Sequence, residues 1–175
     1  MTWPRQSSII GLLLVLLLGV SCTTGDSAPT EIPLALGETA THRHVLPLAS
    51  ELLVCEPQQY AFAEQTIGPD GGSLTIGRHR LEIPRGALAS KVTITGEQVS
   101  DSVNSVRLSP DGLRFARPAR LILSYRNCIS VASPKRVAYT SELLKLLELP
   151  RSEDYPKYEY VTGEIDHFSR YAVAY

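Results

Sequence analysis

The chain has 175 residues, with 17 Lys and Arg against 18 Asp and Glu and a formal net charge of −1. That length suits one domain plus a leader, and the near-neutral balance excludes the basic footprint of a nucleic-acid binder. An apolar share of 43% is that of a globular protein.

Arg5 supplies a positive n-region, and Ile9 to Val20 is a nearly pure Leu/Ile/Val/Gly run of twelve residues. A spanning helix needs roughly twenty apolar residues, so this run fits the h-region of a secretory signal. It ends in "GVSC". Small residues followed by Cys22 resemble the lipobox of bacterial lipoproteins, with Gly19 standing where that motif usually has leucine. The resemblance implies that residues 1–21 are removed and that Cys22 is lipidated as the new N-terminus. The protein is then exported and held on the bacterial envelope through its lipid. Thr23 follows the cysteine rather than aspartate, which favours the outer membrane in a host with two. The other reading is a plain cleaved signal with an incidental cysteine.

Residues 22–50 read as a flexible tether. They begin "TTGDSAPTEIP" after the cysteine and carry no sustained apolar period. His42 and His44 are a pair of histidines in a linker, too few ligands for a metal site. With Cys22 acylated, Cys55 and Cys128 are the cysteines left. An oxidising compartment lets them bond to each other; the alternative is two buried free thiols. With no histidine at ligand spacing they make a poor zinc site.

From residue 51 to 175 a single domain is expected, and from Tyr60 its pattern is short strands punctuated by turns. "GPDGG" at Gly68 to Gly72 is a turn cluster. Leu74 and Ile76, then Leu81 and Ile83, fall on alternate positions, one face in and one out. "PRGAL" breaks that strand at Pro84 and Gly86. "VTITGEQV" alternates again through Val92 and Ile94. "SVRLSPDGLRFARPARLILSY" reads as two or three strands turning at Pro110, Asp111 and Gly112. Leu121 and Leu123 face one way, Ile122 and Ser124 the other; Phe115 is expected inward, and Pro118 at an edge or bulge. "RVAYT" is a strand. The segment 141–149, "SELLKLLEL", is expected to pair with it, a one-turn helix capped by Ser141 being the alternative. "YEYVTGEIDHFSRYAVAY" reads as a final hairpin turning near Thr162 and Gly163. Period two places Phe168, Arg170 and Ala172 on one face of its second strand and His167, Ser169, Tyr171 and Val173 on the other. About eight strands without a convincing long helix predict an all-β fold, an antiparallel β-sandwich.

Three stretches taken together, "GGSLTIGRHRLEIPRGAL", "VRLSPDGLRFARPARLILSY" and "HFSRYAV", resemble the ZU-five domain of zonula-occludens proteins, netrin receptors and ankyrins, which also occurs in bacterial exported proteins. The resemblance covers roughly Thr66 to Tyr175 and implies a β-sandwich. In animal members the module mediates protein contacts, which implies a non-catalytic interaction module here, with an unidentified protein or glycan as partner. Some animal members cut themselves between the Phe and Ser of a His-Phe-Ser motif. The matching residues are His167, Phe168 and Ser169. In that chemistry the Ser169 hydroxyl attacks the Phe168 carbonyl with His167 as base.

Other chemistry has little to stand on. "GPDGG" lacks the lysine and helix of a phosphate loop, no Gly-x-Ser-x-Gly elbow is present, and the acids are scattered. No cofactor is expected. Tyr155, Tyr158 and Tyr160 are candidate contact residues and equally well strand-face aromatics.

Overall fold

The computed structural model describes residues 51–175; the apolar run, Cys22, His42 and His44 lie outside them. The described residues form β1 (Ala61–Ile67), β2 (Gly72–Ile76), β3 (His79–Ile83), β4 (Val92–Gln98), β5 (Ser105–Ser109), β6 (Arg114–Ser124), β7 (Arg136–Thr140), β8 (Leu146–Glu148), β9 (Ser152–Tyr155), β10 (Tyr160–His167) and β11 (Arg170–Ala174). Their pairing is antiparallel throughout, in a six-stranded sheet of order β1-β4-β5-β11-β7-β8 and a five-stranded sheet of order β2-β3-β6-β10-β9. The all-β sandwich is the expected one, with eleven strands where about eight were expected.

Alternation builds the core. Leu81, Leu121, Leu123 and Val161 of the five-stranded sheet face Ile94, Val106 and Val137 of the other, all essentially without solvent contact. Fully burying side chains of this kind is worth roughly 1.5–3 kcal/mol each, enough for register to follow the apolar face. Segment 141–149 is the expected strand pair: β8 lies against β7, with Tyr139 opposite Glu148 and Thr140 opposite Leu146. Ser141 caps a turn rather than a helix, its Oγ accepting the Lys145 N–H at 3.1 Å.

Two expectations near the end of the chain are corrected. Thr162 and Gly163 are not a turn. They lie inside β10, paired with β6 on one side and β9 on the other. Gly163 is there because the facing sheet comes so close: a Cβ on it would sit 2.6 Å from Cβ of Val137. The hairpin turn is instead Pro156 to Glu159, between β9 and β10, and it carries Tyr158, which is therefore on a turn and not on a strand face. Nor are β10 and β11 a hairpin. They are consecutive in the chain but belong to different sheets, so the single strand expected through His167, Phe168 and Ser169 is a corner.

Cys55 and Cys128 form a disulfide across 73 residues of sequence. It joins the segment ahead of β1 to the loop after β6, where Cys55 N–H also donates to Ser102 O at 2.8 Å. Beside it Asn104 and Asn127 exchange amide hydrogen bonds of 2.8 and 3.0 Å. In the chain-entropy account, a loop of this length contributes roughly 4 kcal/mol by restricting the unfolded chain. Upstream, Leu53 N–H donates to Val173 O at 2.8 Å, so the same segment continues the sheet along β11.

His79, at the start of β3, is 1% exposed. Its Nδ1 accepts the Ser124 N–H at 3.1 Å, which leaves the proton on Nε2, an atom with no partner among the described residues. Burial first, and the Arg78 charge second, hold its pKa at about 4. The folded value lies below the ordinary one, so the unfolded chain takes up the proton first. Stability is therefore full above about pH 6.5 and falls as the pH drops towards 4. From this residue alone, urea unfolding is expected to record a loss of about 2 kcal/mol between pH 7.5 and pH 5. In His79→Asn, whose side-chain oxygen replaces the acceptor, that loss disappears; an unchanged pH dependence in the variant assigns it elsewhere.

Candidate functional site

The His-Phe-Ser corner is one half of a paired crossing. β5 passes to β6 through Pro110 to Leu113, and β10 passes to β11 through Phe168 and Ser169. β5 pairs with β11 in one sheet, and β6 with β10 in the other. The two crossings run side by side, and the hydrogen-bond ladder continues through them. Phe168 N–H donates to Leu113 O at 2.9 Å, Gly112 N–H to Phe168 O at 3.2 Å and Leu108 N–H to Ser169 O at 3.0 Å. An antiparallel ribbon is thus folded over from one sheet to the other.

Local sequence explains the bend. Ser109–Pro110 is a cis peptide, and Gly112 has φ 74°, a conformation an L side chain resists. In the partner strand the register slips: Ile165 faces Ala119 but His167 faces Arg114, so residues 115–118 bulge. Pro118, with no N–H to offer, sits in that bulge as expected. The bulge turns Phe115 onto Phe168, ring centroids 5.1 Å apart and edge to face. Phe168 is 1% exposed and fills the inside of the corner.

His167 and Ser169 do different things. The His167 Nδ1 lies 2.7 Å from the Tyr171 hydroxyl, and that hydroxyl lies 2.8 Å from the His167 carbonyl oxygen. With the one phenolic proton donated to the carbonyl, Nδ1–H donates to the phenol oxygen. Burial raises the Tyr171 pKa, so the phenol keeps its proton. The His167 ring also stands edge-on to Tyr139 at 4.9 Å and lines a shallow cleft of about 340 Å³ with Tyr139, Tyr171 and Arg114. Ser169 does not line that cleft, and its hydroxyl has no hydrogen bond to His167 among the described residues. The motif is adjacent in sequence without being a nucleophile–base pair in space. The Phe168 carbonyl does carry one N–H donor, from Gly112.

Next to Ser169, Arg170 is 5% exposed and is held on all sides. It donates to Glu142 O at 2.5 Å and to Ser105 Oγ at 3.0 Å, and pairs with Asp101 at 3.5 Å. Arg107, beside it on β5, bridges Glu97 at 3.0 Å and Glu142 at 2.6 Å. These contacts occupy the middle of the outer face of the six-stranded sheet. Among the described residues no group of three His, Cys, Asp or Glu side chains converges as a metal site.

The outer face of the five-stranded sheet is different; sequence reasoning names its tyrosines as candidate contact residues but not its charged rows. It bears Glu82, Arg120 and Glu164 in one cross-strand row, and Arg80, Ile122, Thr162 and Glu153 in the next. At its end lie Tyr155 and Tyr160, with centroids 4.8 Å apart, and Tyr158 is 6.1 Å beyond Tyr160. The signal was present as the polar half of each alternating strand. Compared with family models and with curated proteins, the chain matches none.

If the corner is structural, its residues differ sharply in what they contribute. Phe168→Ala is expected to cost about 3–5 kcal/mol of unfolding free energy, as for a large core ring. Ser169→Ala should stay within about 1 kcal/mol, and Tyr171→Phe should lose about 1 kcal/mol through its two hydrogen bonds. Denaturant titration of the three variants checks the order. A Ser169→Ala loss as large as that of Phe168→Ala contradicts it.

Proposed function

We propose that this protein is a lipid-anchored, extracytoplasmic β-sandwich that serves as a non-catalytic interaction module. The observation that carries the reading is the state of the one candidate catalytic motif. Phe168 fills the corner, His167 is bonded to Tyr171, and Ser169 is bonded to β5 only through its carbonyl. Each residue has a part in holding two sheets together, and the pair that chemistry would need is not hydrogen-bonded.

Three further observations support the setting. The Cys55–Cys128 bond is at home in an oxidising compartment. "GVSC" after a short apolar run supplies an anchor at Cys22, and acylation there holds a protein on a membrane when more than one chain is attached. The sandwich is the architecture the ZU-five resemblance implies, and in that family the module makes contacts rather than turning over substrates. An envelope address then follows, at the outer membrane where there are two.

Self-cleavage is the second reading, and one contact favours it. Gly112 N–H already points at the Phe168 carbonyl oxygen, where a donor to a tetrahedral oxyanion would stand. Ser169 Oγ would attack the Phe168 carbonyl carbon, the Phe168–Ser169 C–N bond would break, and water would hydrolyse the ester formed.

Intact-mass measurement and cell fractionation, done on the full chain with Cys22→Ser and Ser169→Ala beside it, separate these readings. The expected result is an uncut chain in the membrane fraction, with Cys22→Ser released to the soluble fraction. A species ending at Phe168 that vanishes in Ser169→Ala replaces the module with a self-processing domain. Wild type as soluble as Cys22→Ser removes the anchor. Crosslinking on intact cells is expected to give a discrete adduct, and its absence removes the interaction role.

A further inference from the structure

The two sheets end in four edge strands, β1 and β8 in one and β2 and β9 in the other. An edge offers unpaired N–H and C=O groups to any passing strand, and folds ordinarily blunt it by shortness, charge, proline or a bulge. β8 is three residues long, and its pairing with β7 slips register. β9 is four residues long, carries Glu153 and Asp154, and lies between Pro150 and Pro156. β2 is five residues long, with the Arg80 guanidinium on its Ser73 hydroxyl at 3.2 Å. β1 has none of these devices. It is seven residues long, AFAEQTI, pairs with β4 through seven consecutive residues without a bulge, and contains no Pro, Lys or Arg. Its Phe62 is 53% exposed, and Tyr60 just ahead of it is 56% exposed.

The ladder shows which of its groups are free. Leu108 N–H donates across β5–β11 to Ser169 O, so the Leu108–Gly96 pair of β5 and β4 is a non-hydrogen-bonded one, and Gly96 turns its N–H and C=O to Ala63 of β1. Alternation then aims the N–H and C=O of Phe62, Glu64 and Thr66 away from β4. The Thr66 and Thr93 hydroxyls, 3.0 Å apart, fit the closer approach of side chains at a non-hydrogen-bonded pair. Among the described residues β1 pairs with β4 alone. We infer that β1 pairs antiparallel with β1 of a second copy of this chain, joining two six-stranded sheets across a two-fold axis.

The edge selects its occupant. Donors and acceptors alternating at ladder spacing are matched by an extended backbone, and a two-fold pair sets the same residues against each other on both sides. Edge-facing residues must meet edge-facing residues, so the register moves in steps of two. Full overlap puts Glu64 opposite Glu64 of the second copy, and directly opposed like charges are destabilising. One step removes that conflict and leaves Ala63 on the axis. Phe62 then stands opposite Glu64 of the second copy, its ring against the carboxylate's aliphatic stem, and Ala61 stands opposite Gln65. Phe62 N–H meets Glu64 O, Glu64 N–H meets Phe62 O, and symmetry repeats both bonds. The inner row asks for a small neighbour, since Ala63 packs against the core, and β1 supplies Ala63 to itself. A step the other way leaves Phe62 opposite Gly68, with its ring uncovered.

The inference goes beyond the module reading, because it does not depend on what the module binds. The test sediments the full chain in density-matched detergent from about 1 to 100 μM. A reversible dimer is expected. Glu64→Pro removes a donor that faces away from β4, a place where an edge strand tolerates proline, and should raise the dissociation constant about tenfold or more. Phe62→Glu, which opposes like charges, should do the same, and Phe62→Glu with Glu64→Lys should restore the dimer. Thermal melting checks that each variant is folded, and the charge pair decides where the proline variant is not. At a non-hydrogen-bonded pair the Cα atoms stand about 4.5 Å apart, within reach of a disulfide. Ala63→Cys should therefore cross-link two copies on mild oxidation, and Leu143→Cys, at the 92% exposed tip of the β7–β8 turn, should not. A monomer throughout overturns the inference. So does a dimer that neither Glu64→Pro nor Phe62→Glu weakens, or cross-linking no better through Ala63→Cys than through Leu143→Cys. A monomer that still gives adducts with another protein on intact cells leaves the module reading standing, and a dimer that fractionates as soluble leaves this inference standing without the anchor.

Discussion

The structure hangs on three backbone hydrogen bonds at one corner: Phe168 N–H to Leu113 O, Gly112 N–H to Phe168 O and Leu108 N–H to Ser169 O. They keep a two-stranded ribbon paired while it folds from one sheet to the other. Either crossing alone would leave buried polar groups without partners, at a cost of about 1–3 kcal/mol for each. Together they satisfy each other, and Phe168 on Phe115 excludes water from the bend. Because β11 is an inner strand of the six-stranded sheet and β10 an inner strand of the other, the corner fixes how the two sheets face each other. The fit of Gly163 against Val137 and the burial of Tyr171 depend on that registration.

The same constraint bears on function. A His-Phe-Ser sequence invites a catalytic reading, yet at a ribbon corner each residue answers a structural need. A large apolar ring fills the bend. A histidine ties its ring and carbonyl to the hydroxyl of Tyr171 four residues on. A small residue follows where the chain changes sheets. The corner, the disulfide and the Arg107–Arg170 network hold the sandwich, and the outer face of the five-stranded sheet is built differently. Tyr155, Tyr160 and its charged residues lie on alternate positions of strands whose other faces make the core.

Much of the fold was legible because burial on one side of a sheet leaves a period-two trace. Alternation puts Leu74 with Ile76, Leu81 with Ile83, and Leu121 with Leu123 on shared faces, and all six are in the core. The Pro110-Asp111-Gly112 turn, the β7–β8 pair and the Cys55–Cys128 bond were legible for local reasons: turn chemistry, length and cysteine number. The chain's last two strands were not. β11 is buried on both faces, its outer side covered by the contacts of Arg170, so alternation there does not separate inside from outside. Gly163 read as a turn residue because a glycine required by a close sheet approach looks the same in sequence as one required by a bend. Alternation also does not say which sheet a strand joins, so a crossing was taken for a continuous strand. Tyr155, Tyr158 and Tyr160 are legible as candidate contact residues, but the charged rows beside them are not, because their residues come from β3, β6, β9 and β10 and only register brings them together.

Native-state hydrogen exchange read at the amides of Leu108, Gly112 and Phe168 tests the corner most directly. Gly112 and Phe168 lie outside any strand, where amides ordinarily exchange through small local openings. If the paired crossing holds the sheets together, all three amides exchange only through global unfolding, with the same free energy as the core amides of β6 and β11. Exchange of Gly112 and Phe168 at the rate of exposed turns, while β6 and β11 stay protected, would contradict the account.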